Sequence, residues 1–246
     1  MSKRQSSSAA AMQTLRGRII DGTYEPDSRL PSTTAIAAEF GIDRGSASRV
    51  LARLREAGLI ITRPGSGSFV RSFKPIRRSF PGRMFSWRDG RAIQDADTGH
   101  RPRAVDVVIS EVPAPSPIAE ILAVKADAPV VMRSRRFLVE ERPVQLARSY
   151  YLPDMVRGTG IVYTDTGPGG AYARLAEIGH EPVEFTETLR ARMPSPEETD
   201  RLELPGGTPV VVILRAAYAA EGRCVEVTEM VLDGSAYELE YSSVLS

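Results

Sequence analysis

The chain has 246 residues, of which 42% are hydrophobic and 26% charged, an ordinary globular balance that accommodates one large domain or two small ones; two is the expectation. No apolar run approaches the ~20 residues of a membrane-spanning helix, and the start of the sequence lacks the apolar stretch of a secretory leader. A single cysteine, Cys224, allows no internal disulfide, and two histidines leave little for a metal site. A cytoplasmic chain without metal, cofactor or membrane contact is expected.

The net charge of +1 hides an asymmetry. Residues 1–80 carry 14 Lys/Arg against 6 Asp/Glu, whereas residues 81–246 carry 18 against 25. Arginine outnumbers lysine 29 to 3 throughout, so arginine content alone says little. The difference in sign says more, because a basic front fused to an acidic remainder fits a nucleic-acid-binding module joined to a second domain.

In chain order, Met12, Leu15 and Ile19 recur at helical spacing until Gly22 stops the pattern. Ser32 is a good N-cap for a short helix with Ile36, Ala37 and Phe40 on its apolar face, ended by Gly41. Asp43 caps the next helix, whose stripe of Ala47, Val50, Leu51, Leu54 and Ala57 stops at Gly58. The three-residue connection demands a steep helix-turn-helix crossing. Leu59 to Thr62 and Phe69 to Val70 then flank Arg63-Pro64-Gly65-Ser66-Gly67-Ser68 as a short hairpin, the wing of a winged helix.

A helix in the major groove reads bases from its first turn, and Arg44 stands there. Its planar guanidinium can give two hydrogen bonds to one guanine. Ser46 is placed to donate to a base or phosphate, as is Ser48, while Arg49, Arg53 and Arg55 are either phosphate clamps or solvated charge. Ser32, Thr33 and Thr34 at the start of the preceding helix, together with Gly65, Ser66 and Gly67 in the wing, complete the expected DNA-contacting set with Arg44, Ser46 and Arg49. Glycine in the wing lets the backbone approach a phosphate closely.

These residues resemble the winged helix-turn-helix of the GntR family of bacterial transcriptional regulators over residues 14–70. The resemblance lies in Leu30-Pro31-Ser32, in Phe40-Gly41-Ile42-Asp43-Arg44, and in Gly65-Ser66-Gly67-Ser68-Phe69-Val70. It implies that Arg44 and Gly65 contact operator DNA in a nucleoid-associated homodimer on a palindromic site. Thr34 departs from it, standing where the family commonly has an arginine.

Residues 75–100 are rich in Arg, Gly and Pro and read as a linker between a DNA-binding domain over 1–74 and a second domain over 101–246. The second domain repeats itself. Strand, Pro-Ser-Pro, helix, strand, turn and strand occur over 107–152 and again over 186–232, at an offset of 79 to 80 residues between Ser116 and Ser195 and between Pro129 and Pro209. Two such copies pack into one antiparallel α+β domain. The expected fold is therefore α+β, an N-terminal winged helix-turn-helix joined to a C-terminal antiparallel-sheet domain with an internal pseudo-repeat. Ser195 with Glu198 forms a capping box, and Pro117 and Pro196 sit at first helical positions.

Alternation over Val130 to Leu138 sends Arg133, Arg135 and Phe137 to one side, which either faces water or binds an anion. The repeat sets Arg215 opposite Arg135. The stretch from Arg136 to Pro153, the run from Gly169 to His180 and the closing Val225 to Tyr241 resemble the UTRA effector domain of HutC-type GntR regulators, a chorismate-lyase-like fold. That resemblance implies a small-molecule effector held by strand arginines and by Tyr172, with Glu226 and Tyr237 as weaker candidates. Gly170 stands where relatives have a serine, and Ala147 where sugar-sensing relatives often have a glutamate, which argues against an amino-sugar effector. A lyase-type enzyme and a ligand-independent architectural protein are the rival readings. His100, His180 and Cys224 offer no nucleophile setting for the first of these.

Overall fold

The computed structural model describes residues 3–72, 76–80, 88–89, 102–139 and 141–241. The chain divides into two compact units, residues 1–74 with 204–208 and residues 75–203 with 209–246. None of the described helices is long and apolar enough to cross a membrane.

The first unit contains α1 (Lys3–Ile20), α2 (Thr33–Phe40), α3 (Arg44–Glu56) and a hairpin of β1 (Ile60–Arg63) and β2 (Gly67–Val70). The capping residues act as their chemistry dictates. Ser32 accepts from the Ala35 N–H, Asp43 accepts from the Ser46 N–H, and Gly41 takes the left-handed conformation at φ 61° that ends α2 and lets α3 start three residues later. Leu15 of α1, Ile36 of α2, Ala47, Val50 and Leu54 of α3, and Ile60 and Val70 of the hairpin close one core. Ala57, expected on the α3 stripe, is exposed, because the helix has already ended there.

In the second unit the repeated pattern becomes β4 (Arg103–Pro113), α4 (Ser116–Leu122), β5 (Pro129–Val139) and β6 (Arg142–Tyr151), then β7 (Glu184–Arg192), α7 (Pro196–Arg201), β8 (Val210–Tyr218) and β9 (Cys224–Asp233). Between the copies lie α5 (Pro153–Val156), a 3₁₀ turn at Gly160–Val162 and α6 (Gly170–Glu177). The six long strands form one antiparallel sheet in the order β4-β5-β6-β9-β8-β7. The order is a palindrome: the two copies meet at β6 and β9, and each buries the edge that the other would expose.

Two differences from expectation matter. Within the stretch read as linker, Ile76–Phe80 forms strand β3, which pairs in parallel with β10 (Tyr237–Tyr241) and buries Arg78 completely. Charged Ile-Arg-Arg-Ser-Phe carries no clear apolar period, so only a pairing partner from the other end of the sequence reveals it. Most of the remaining linker, 81–87 and 90–100, lies outside the described residues, as does His100.

The second difference concerns the repeat. Strand register puts Arg133, Ser149, Thr228, Arg215 and Glu187 into one row across five strands, so Arg215 shares its row with Arg133 rather than Arg135. Proline spacing fixes turns, whereas the row is fixed by hydrogen-bond register.

The capping box at α7 is present in full: Ser195 Oγ accepts from the Glu198 N–H, and the Glu198 carboxylate accepts from the Ser195 N–H and from both terminal nitrogens of Arg192. Arg192 first, and then the Ser195 N–H, hold the Glu198 carboxyl at about 2 against an ordinary 4.5, overcoming partial burial. A depressed carboxyl stabilises the fold above its unfolded value, and that contribution disappears as pH falls from about 4.5 toward about 2. Between pH 5 and pH 3 the urea midpoint of the unaltered chain is therefore expected to fall further than that of Glu198→Gln. Equal losses would show that the box does not titrate with folding.

Candidate DNA interface and effector site

On the first unit, Arg44 is exposed at the opening of α3, and its side chain has no hydrogen bond or ion pair among the described residues. Thr34 is exposed and Thr33 half-buried at the start of α2, while the Ser32 hydroxyl accepts from the Ala35 N–H in the cap and keeps its own O–H to donate. Gly65 and Gly67 hold φ at 72° and 108°, so the wing turn demands glycine at both positions. Ser66 is exposed between them.

Ser46 is the correction on this face. It is buried, its hydroxyl donates to Asp43 Oδ2 at 2.8 Å, and it accepts from Arg49 Nη2 at 2.8 Å. The N–H and then the hydroxyl of Ser46 hold the Asp43 carboxyl below its ordinary value. Ser46 thus completes the helix cap and presents nothing to a base, and it engages Arg49 in the same contact. Sequence could not separate these roles, since a serine in the first turn of a helix faces inward or outward according to helix phase.

On the second unit the inner sheet face gathers charge. Arg133, Arg135, Arg215, Tyr172 and Glu226 all come together there and are all buried. Arg133 donates Nη1 to the carbonyls of Ile161 and Tyr163, and Nη2 to that of Thr164 at 2.7 Å. Arg135 donates to the Arg133 carbonyl and to Ser149 Oγ, which itself bonds Thr228 Oγ1 at 2.7 Å. Glu226 accepts from Tyr151 at 2.5 Å, Tyr172 at 2.7 Å and Arg215 at 3.4 Å. The Arg215 guanidinium lies over the Tyr172 ring, 5.4 Å from its centroid.

Burial by itself raises the Glu226 carboxyl, but Arg215, the Tyr151 hydroxyl and Arg135 outweigh it and keep the group ionised. Burial, then the neighbouring Arg135 charge, lowers the Arg133 guanidinium. Arg78 adds a fourth buried cation to this face, bonded to both oxygens of Glu187, which also accepts from Tyr241. Tyr237 lies half-buried on β10 against the apolar cluster of Phe137, Ala147 and Met230. Sequence reasoning missed Ser149, Tyr151 and Thr228. Their signal was available, because Ser149 and Thr228 stand 79 residues apart, at the repeat offset, and Tyr151 is one alternation from Ser149.

Comparison with known proteins decides what the two units are. Residues 7–70 match the family model of bacterial regulatory proteins of the gntR family, and residues 97–238 match the UTRA domain. The chain belongs to the GntR family, in the form that carries a UTRA domain. An HTH-type transcriptional regulator of Streptomyces coelicolor is 29% identical over 91% of this chain and 87% of its own length. The histidine utilization repressor of Klebsiella aerogenes is 24% identical over 93% and 90% of the two chains. A solved structure of a GntR-family transcriptional regulator superimposes with a TM-score of 0.66 at 25% identity, covering 98% of both chains.

As a GntR regulator, the chain binds DNA through its winged helix and carries a ligand-binding UTRA domain after it in the sequence. Within that frame the exposed, unpaired Arg44 and the buried arginine row are the two places where chemistry is concentrated. Among the described residues no group of three or more His, Cys, Asp or Glu is placed to hold a metal ion.

Proposed function

We propose that this GntR regulator is a cytoplasmic, homodimeric repressor that holds a palindromic operator through Arg44, the α2 start at Ser32, Thr33 and Thr34, and the wing residues Gly65, Ser66 and Gly67. An anionic small molecule entering the UTRA domain at Arg133, Arg135, Arg215 and Tyr172 releases it. Repression follows the name of the Klebsiella relative.

One observation carries the anionic reading: four buried guanidinium groups on one sheet face, Arg78, Arg133, Arg135 and Arg215, stand against two buried carboxylates, Glu187 and Glu226. Among the described residues, Nε and Nη1 of Arg215 are buried without a hydrogen-bond partner. Uncompensated buried cations are costly, so a site of this composition gains free energy from an incoming anion. The Cys224 thiol is buried and pushed up to about 11 by that burial, so it stays protonated at neutral pH.

The test uses the full chain and a duplex of its own upstream DNA. Phosphomonoesters and dicarboxylates are screened for a rise in thermal stability, and each stabilising compound is then titrated into the protein–DNA complex. Release by an anion supports the reading. Arg135→Ala is expected to bind the duplex normally and to need at least tenfold more of that anion for release. A variant as responsive as the unaltered chain would remove Arg135 from the site, and stabilisation only by neutral compounds would remove the anionic effector.

A further inference from the structure

We propose that a cleft between α3 and the wing seats a backbone phosphate of the bound duplex, held by Arg29 and Arg55. The cleft has a volume of about 360 Å³, and its polar lining comes from Arg29, Ser32, Thr33, Ser48, Arg55, Thr62 and Ser68. Three elements therefore contribute, the start of α2, the outer side of α3 and the hairpin.

The charges on α3 sort by direction. At ~100° per residue, Ser48, Leu51 and Arg55 follow Arg44 along one side of the helix, whereas Arg53 falls nearly opposite. Arg49 is occupied by Ser46. Arg55 thus continues the line that Arg44 begins, ~16 Å further along the axis. Between them stands the short side chain of Ser48, with Ala52 beside it, leaving the backbone of a nucleic acid room to approach.

Arg29 enters from the other wall. It forms an isolated bridge with Phe69, and its guanidinium lies 3.0 to 3.6 Å from the point a Cβ on Gly67 would occupy. Gly67 is needed for its φ of 108°, and its missing side chain also lets the Arg29 guanidinium lie close against the wing. Neither Arg29 nor Arg55 has a side-chain hydrogen bond or ion pair among the described residues, although Arg18 and Arg63 of the same unit both find carboxylates. Two exposed cations facing one hydroxyl-lined cleft, with no acid between them, match the chemistry of a phosphodiester. The location supplies the occupant: a strand whose bases meet Arg44 and whose next groove meets the wing has to pass between α3 and the hairpin.

This inference rests on the DNA-binding face proposed above, and the experiment separates the two. Affinity of the full chain is measured from 50 to 200 mM salt, for its upstream duplex and for a scrambled one, with Arg29→Ala, Arg55→Ala and Arg53→Ala. Removing one phosphate-binding cation lowers the slope of log affinity against log salt by ~0.9 per bound chain, or ~3.5-fold across this range. Arg29→Ala and Arg55→Ala are each expected to show that change on both duplexes, with the ratio between duplexes unaltered and with Arg53→Ala unaffected. Unchanged slopes for Arg29→Ala and Arg55→Ala would overturn the cleft, as would an equal change in Arg53→Ala, which would mean that only total charge counts. A competing effect of inorganic phosphate at constant ionic strength, abolished by Arg55→Ala, would also overturn it by making the cleft a site for free anion. Loss of the ratio between duplexes in Arg44→Ala tests the base-reading face independently.

Discussion

Glu226→Leu is expected to destabilise the UTRA domain by about 3–5 kcal/mol, the usual result of removing one partner from a buried charge pair. The carboxylate is the acceptor for Tyr151, Tyr172 and Arg215 at once, and all four groups are buried. Leucine fills the space but leaves one guanidinium and two hydroxyls without an acceptor, and each orphaned polar group adds its own desolvation cost. Glu226→Gln keeps one acceptor oxygen and should lose less. The measurement is urea unfolding of both variants beside the unaltered chain at pH 7. The sign of the pH effect follows from the depressed carboxyl: the difference between Glu226→Leu and the unaltered chain is present above the unfolded carboxyl value and shrinks as pH falls through the folded one. A Glu226→Leu chain within about 1 kcal/mol of the unaltered one would show that the tyrosines and Arg215 find other partners.

Arg44→Ala should cost about 1–3 kcal/mol of discrimination between the operator and a scrambled duplex, because a bidentate arginine contact to guanine is worth that much. Nonspecific affinity should stay within a few-fold, since it comes from phosphate contacts elsewhere on the module. Helix stability should hold, because Arg44 lies outside the Asp43–Ser46 cap and touches none of the core. Gel-shift titrations on both duplexes read the two affinities, and a preserved ratio would mean that another side chain reads the base.

Much of this was legible from residue types. Cap residues Ser32, Asp43 and Ser195 announced three helix starts, and each makes the hydrogen bond its chemistry predicts. Alternation over Val130 to Leu138 put Arg133 and Arg135 on one face, and the structure gathers them there with Arg215 and Glu226. Ser46 and strand β3 were not legible in the same way. The direction of Ser46 depends on helix phase relative to a core assembled from five elements, and β3 is a strand only because Tyr237–Tyr241 pairs with it.

Local chemistry alone therefore determined the helix caps, the wing turn, the repeated strand pattern and the division of charge, because each depends on neighbours a few residues apart. Tertiary structure decided which polar side chains are spent internally. Ser46, Tyr151, Arg78 and Glu187 acquire their partners by burial, and burial depends on what packs from distant parts of the chain. The row joining Arg133 to Arg215 has the same origin: strand register is set by the hydrogen-bond ladder across the whole sheet, a sum over many long-range pairs that no single segment encodes.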